Sequence, residues 1–286
     1  MFISFIKRFV TSAIALIVLV FVLSYSYCQY CHFVFGLFLI FIVLSALKEF
    51  YQLIEAKGIK PLKEIGMVGA AAYISSLTIG TLDPTWKLLP GMALTLTLLS
   101  GFVYFFYHEN HALLRLSVTF FGLVYLALPL GVFISINYFF PSGEQDGRWW
   151  VFYTIAMTKI SDTAAFFCGK AFGKHRLAIS ISPKKTVEGA IAGLVAAVFI
   201  SLIMPDISAW VTGKTQIIIP WTDRLVLGVL AGILAPLGDL SESLLKRDAG
   251  VKHSSALPGL GGILDMVDSL IFTAPLVYFY LLATFN

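Results

Sequence analysis

Nine stretches of this chain are apolar over roughly the twenty residues that a helix needs to cross a bilayer. They cover Phe9–Tyr27, Cys31–Leu47, Ile65–Leu82, Leu88–Tyr107, Ala112–Phe140, Trp149–Cys168, Gly189–Met204, Leu225–Leu240 and Ile263–Thr284. Such a chain has little polar surface to offer water. Of its 286 residues, 58 % are apolar and 13 % are charged, against about 25 % charged in ordinary soluble domains. A soluble globule, a disordered chain and a coiled coil are thereby excluded. A transmembrane barrel is disfavoured, because its strands alternate apolar and polar over about ten residues, whereas these runs are continuous and about twice as long. The expected fold is an all-α integral membrane protein with about nine transmembrane helices.

The basic residues orient it. With a cytoplasmic N-terminus, fifteen of the twenty Lys and Arg fall in inside segments. Lys87, Arg148, Lys214 and Arg224 fall outside, and Lys159 lies within a span. The C-terminus is then expected outside. Lys7 and Arg8 ahead of an apolar run also resemble a signal peptide, but the run is long and no small-x-small cleavage site follows, so a retained first helix is expected. Trp149 and Trp150 sit where an interfacial aromatic belt would anchor a helix, and the long fifth stretch is expected to tilt or kink at Pro129. Cys28 and Cys31 form a C-x2-C with no second pair to complete a zinc site.

Residues 1–145 read as a scaffold of about five helices, because their charges lie in loops. Residues 146–286 read as a catalytic region of about four helices. Ionisable residues inside spans are costly unless paired, hydrated or bound to an ion, and this second half concentrates them. Lys159 and Asp162 are three apart on one helix face. Ser182-Pro183-Lys184-Lys185-Thr186 leads into the seventh span. A Ser or Thr cap with Pro in the first turn, beside two lysines, would make a phosphate site at a helix start. Asp239, Glu242, Ser243 and Lys246 fall at i, i+3, i+4 and i+7, one stripe of a helix. Asp265 and Asp268 sit at i, i+3 just inside the ninth span, behind Pro258-Gly259-Leu260-Gly261-Gly262. Two like charges on one face repel, and a bound divalent cation relieves them; Mg²⁺ takes a few carboxylates and keeps phosphate oxygens. The topology brings all four elements to the cytoplasmic side. No Walker A sequence, kinase signature, H-E-x-x-H or G-x-S-x-G occurs.

Taken together, these motifs closely resemble the phosphatidate cytidylyltransferases, or CDP-diacylglycerol synthases. The family signature begins Ser-x-aliphatic-Lys-Arg, here Ser243-Leu-Leu-Lys246-Arg247. It ends Gly-Gly-aliphatic-x-Asp-Arg-aliphatic-Asp, here Gly261-Gly262-Ile-Leu-Asp265-Met266-Val267-Asp268. Asp162-Thr163, Gly169, Phe172-Gly173-Lys174, Ile181 to Thr186 and Glu188-Gly189 also resemble the family pattern. The likeness covers roughly residues 159–270. Three positions depart from it: His253 where Asp is usual, Leu260 where His is usual, and Met266 where Arg is usual. Both aspartates and the Ser–Lys–Arg element are kept, so the metal site is expected to survive.

The resemblance implies Mg²⁺-dependent transfer of a cytidylyl group from CTP to phosphatidate, in one or two metal ions' presence, at the cytoplasmic face of a plasma or bacterial inner membrane. It implies Asp239, Asp265 and Asp268 as metal ligands, with Glu242 supporting them from behind. Ser243 and Lys246 complete the expected catalytic set. Arg247, Ser182, Lys184, Lys185, Thr186, Asp162 and Lys159 are the expected substrate-binding residues. CTP, phosphatidate and membrane lipids are the implied partners, with a homodimer and no nucleic acid. A CTP-dependent polyprenol or phytol kinase would instead pass on the γ-phosphate and release CDP. A secondary transporter would turn over no CTP. The D-G-x2-A-R…G-x3-D-x3-D pattern of CDP-alcohol phosphotransferases is absent.

Overall fold

The computed structural model describes residues 18–26, 32–108, 111–140, 143–251 and 262–285. Most of the first expected span, the Cys28–Cys31 motif and the departures at His253 and Leu260 lie outside the described residues. Seven helical stretches among the described residues are long and apolar enough to cross a membrane. The chain is therefore an all-α integral membrane protein in its essentials, with one small hairpin. It divides into two compact units, residues 1–134 with 248–267 and residues 135–247 with 268–286.

The first unit contains α1 (His32–Ala56), α2 (Lys63–Leu82), α3 (Leu89–Phe106), α4 (Ala112–Gly122) and the short α9 (Ile263–Val267); α5 (Leu128–Asn137) begins in it. Small residues let these helices approach closely, the packing device that membranes favour. A Cβ on Gly66 would lie 2.0 Å from the Tyr51 hydroxyl, and one on Gly69 would lie 2.3 Å from Thr97. The buried Tyr51 hydroxyl donates to the Thr119 carbonyl at 3.0 Å, and the Thr119 hydroxyl accepts from the Leu62 N–H at 2.9 Å. Between α2 and α3, Asp83 accepts from the Thr85 N–H at 2.8 Å, and the Thr85 hydrogen bonds hold its carboxyl below the usual range. The kink expected at Pro129 takes the form of a π-turn over Leu123–Ala127 between α4 and α5. Proline has no N–H to give the carbonyl four residues back, and the wider turn absorbs that missing bond.

The second unit contains α6 (Gly147–Phe172), a two-stranded antiparallel hairpin of β1 (Arg176–Ala178) and β2 (Ser182–Thr186), α7 (Val187–Thr212), α8 (Trp221–Asp248) and α10 (Leu270–Phe285). Glycines again set the spacing. A Cβ on Gly189 would lie 2.6 Å from the Ala165 carbonyl, and one on Gly232 would lie 2.7 Å from Leu194 Cα. Helix α6, the expected sixth span, is 26 residues long but carries Arg148, Lys159, Asp162 and Lys170, and it is not among the seven stretches apolar enough to cross a membrane.

Three expectations change here. Trp150 is fully buried, donating from Nε1 to the Gln145 side chain at 3.1 Å, so it does not line an interfacial belt. Ser182 and Pro183 do not open the seventh helix. They lie in β2, and Thr186 is the cap, accepting from the Gly189 N–H at 3.2 Å. Proline serves at the exposed edge of a two-stranded hairpin, where no ladder N–H is required of it. The ninth span is not one continuous helix, since α9 ends at Val267 and α10 starts at Leu270. The Asp268 carboxylate accepts from the neighbouring Ser269 N–H at 2.5 Å, a local bond that competes with the helical one.

Candidate metal and phosphate site

The last three turns of α8 carry the acidic stripe. Glu242 is 2 % exposed and accepts from Lys246 Nζ at 2.7 Å, one turn on. Asp239 is more open and pairs with Lys185 Nζ at 2.8 Å. Asp268 arrives from the turn ahead of α10, 5 % exposed. Its approach depends on Gly238, where a Cβ would lie 2.3 Å from the Asp268 carbonyl oxygen. Asp239, Glu242 and Asp268 each offer a carboxylate oxygen, and these oxygens lie within 4.8 Å of one another.

Three carboxylates this close, two of them buried, repel one another strongly in a region of low dielectric. The surroundings supply compensating cations. Lys246 is bonded to Glu242, and Lys185 is bonded to Asp239 and to the Pro236 carbonyl at 3.2 Å. On α6, Lys159 Nζ lies 3.3 Å from the Asp162 carboxylate and donates to Ser269 Oγ at 2.8 Å, while Ser269 donates to Asp162 at 2.8 Å. An all-oxygen donor set suits a hard divalent cation. Lysines at its margin suit the phosphate oxygens that such a cation carries.

Most of the residues singled out from sequence sit in this second unit. Asp239, Lys246, Asp268 and Lys185 cluster as described, with Ser243 half-buried on the same helix. Glu242 belongs to the carboxylate group itself. Asp162 and Lys159 form the ion pair that their spacing suggests. Lys184 is exposed on β2, two residues on from the half-buried Ser182. Thr186 serves as the α7 cap, and Arg247 Nε donates to the Ile181 carbonyl at 3.2 Å, tying the hairpin to the end of α8. Asp265 belongs to the first unit, where it accepts from the Gly262 N–H at 3.1 Å at the start of α9. Sequence reasoning passed over Ser269, which is fully buried and joins Lys159 to Asp162. Its only signal is its place directly after Asp268.

A helical membrane protein that holds a buried carboxylate group among lysines is the class defined so far. The sequence pattern of the cytidylyltransferase family matches residues 6–284. The chain is 43 % identical over 172 residues to a Chlamydia muridarum protein named phosphatidate cytidylyltransferase, covering 58 % of this chain and 54 % of that one. Two longer matches bear the same name. The Chlamydia pneumoniae protein is 35 % identical over 249 residues, 82 % of this chain and 78 % of the relative. The Synechocystis protein is 34 % identical over 253 residues, 81 % and 82 %. Over the first of these relatives the chain spans about half the length. The chain belongs to the cytidylyltransferase family.

Proposed function

We propose that this protein is a Mg²⁺-dependent phosphatidate cytidylyltransferase, converting CTP and phosphatidate to CDP-diacylglycerol and pyrophosphate. The observation that carries the reading is the Asp239–Glu242–Asp268 group flanked by Lys185 and Lys246 in a chain of this family.

A phosphate oxygen of phosphatidate, already anionic at neutral pH, attacks the α-phosphorus of CTP. The bond from that phosphorus to the bridging oxygen breaks, and pyrophosphate leaves with the electron pair. No general base is required. Asp239, Glu242 and Asp268 hold the cation, and Asp265 is retained as a ligand on the strength of the Gly-Gly-Ile-Leu-Asp-Met-Val-Asp element. When bound, Mg²⁺ neutralises phosphate charge as the two anions meet. Lys184, Lys185, Lys246 and Arg247 orient phosphates, with Ser182, Ser243 and Thr186 beside them. Lys159 and Asp162, bridged by Ser269, line the acidic group. The site faces the cytoplasm of a plasma or bacterial inner membrane, in a nine-span topology with N-terminus inside and C-terminus outside. The placement of the basic residues supports that orientation.

The test uses purified protein in liposomes with phosphatidate, Mg²⁺ and α-³²P-labelled CTP. Mg²⁺-dependent label in the lipid phase is expected. Label reaching an alcohol lipid only from γ-³²P-labelled CTP would replace this reading with a lipid kinase, and no nucleotide turnover would replace it with transport. Lys185→Gln is expected to raise KM for CTP about tenfold or more, the cost of one charge-assisted hydrogen bond, with kcat less affected. Equal losses in both constants would assign Lys185 to the transition state instead.

A further inference from the structure

Glu49 lies on α1, within the half of the chain that reads from sequence as scaffold, and it is 5 % exposed. Its Oε1 accepts from the Ile263 N–H at 3.0 Å, and its Oε2 accepts from the Leu264 N–H at 2.9 Å. The Gly262 N–H donates to Asp265 at 3.1 Å. Three consecutive N–H groups at the start of α9 therefore rest on carboxylates, two of them on one side chain 214 and 215 residues away in sequence. The first N–H groups of any helix lack partners within it, and a serine or threonine cap would satisfy one. A buried carboxylate is an expensive alternative, sustained only where strong hydrogen bonds offset its desolvation. What the fork adds over a simple cap is geometry. Two oxygens on adjacent amides fix both the position and the rotation of the peptide at 263–264, and so the direction in which the next residue, Asp265, leaves the backbone.

We infer that Glu49 is a positioning residue, a carboxylate clamp that holds the entry of α9 so that Asp265, on the same short helix, is presented in one orientation. Its consequence for metal use rests on the cytidylyltransferase reading, whereas the clamp itself rests only on these hydrogen bonds. Glu49 touches no reacting atom and acts through Ile263 and Leu264.

The experiment compares full-length wild type, Glu49→Gln and Glu55→Gln in detergent. Glu55 is the exposed acid of α1 paired with Lys63, and its variant controls for altered charge on that helix. Hydrogen exchange of the peptide covering 262–270 is followed by mass spectrometry with and without Mg²⁺, and label transfer is measured against Mg²⁺ concentration. In Glu49→Gln the amides of Ile263 and Leu264 are expected to exchange about tenfold faster or more. Mg²⁺ protection of the peptide should weaken, and the Mg²⁺ needed for half-maximal transfer should rise about fivefold or more, as for loss of a partner supporting a metal ligand. Glu55→Gln should match wild type throughout. Unchanged exchange at 263–264 in Glu49→Gln would overturn the clamp, whether or not the protein turns over CTP. Faster exchange with unaltered Mg²⁺ protection and an unaltered Mg²⁺ midpoint would overturn the positioning role and leave a structural cap. If wild type transfers no label while its peptide shows the expected Mg²⁺ protection, lost in Glu49→Gln, the clamp stands and the cytidylyltransferase reading fails.

Discussion

Asp268→Asn is expected to lower transfer of label from α-³²P-labelled CTP into phosphatidate by more than about a hundredfold, beyond what supporting residues around a metal usually cost. The substitution keeps the shape of a side chain that is 5 % exposed and grouped with Asp239 and Glu242. It removes one of three negative charges, so affinity for a divalent cation falls while Lys185 and Lys246 stay in place. Removing one of several like charges also relieves repulsion in the apo protein. The melting temperature should therefore hold or rise as activity disappears. That opposition is the diagnostic, since an activity loss that merely follows a lower melting temperature would reduce Asp268 to a structural role. The same pair of measurements decides Asp265. A loss beyond a hundredfold in Asp265→Asn at unchanged melting temperature makes it a ligand. A loss that tracks instability makes it only the partner of the Gly262 N–H.

Gly238→Ala is expected to damage stability and activity together. The new Cβ would lie 2.3 Å from the Asp268 carbonyl oxygen and 2.9 Å from Ser269 Cα, both of them main-chain atoms that cannot rotate away. The turn carrying Asp268 must move as a whole. Overpacking of this kind costs about 1–3 kcal/mol, which for a chain of this size is a fall of roughly 3–10 °C in melting temperature. Activity should drop more than tenfold, because the displaced turn carries Asp268 and Ser269. Gly91→Ala, on α3, meets nothing within 4 Å and should leave both properties as in wild type. Equal behaviour of the two variants, read by thermal unfolding and label transfer, would refute the close approach of Gly238 to the turn.

Much of the candidate site was legible in the sequence, for a physical reason. Asp239, Glu242 and Lys246 obey helical spacing on a helix that runs from Trp221 to Asp248, and a polar stripe in an apolar helix is conspicuous. Lys159 and Asp162 were legible in the same way. Thr186 reads correctly as a residue entering α7, whereas Ser182 and Pro183 read as a helix start and lie in β2. Spacing alone cannot distinguish a helix start from a strand, and pairing with Arg176–Ala178 decides it. The break at Asp268 and Ser269 leaves no mark in the sequence, because neither glycine nor proline stands there and the apolar run continues on both sides.

The membrane-spanning helical class follows from the amino-acid order alone, because apolar length is a local property that needs no partner. The same order marks which ionisable residues are too costly to be idle in such helices. Three features emerge only in the folded chain: Asp239, Glu242 and Asp268 form one group, Ser269 joins Lys159 to Asp162, and Glu49 in the first half holds the start of α9. Each of these is a contact between segments far apart in the chain. Close approach through glycines such as Gly238 and hydrogen bonds to buried backbone groups fix such contacts, and neither leaves a periodic trace in the sequence.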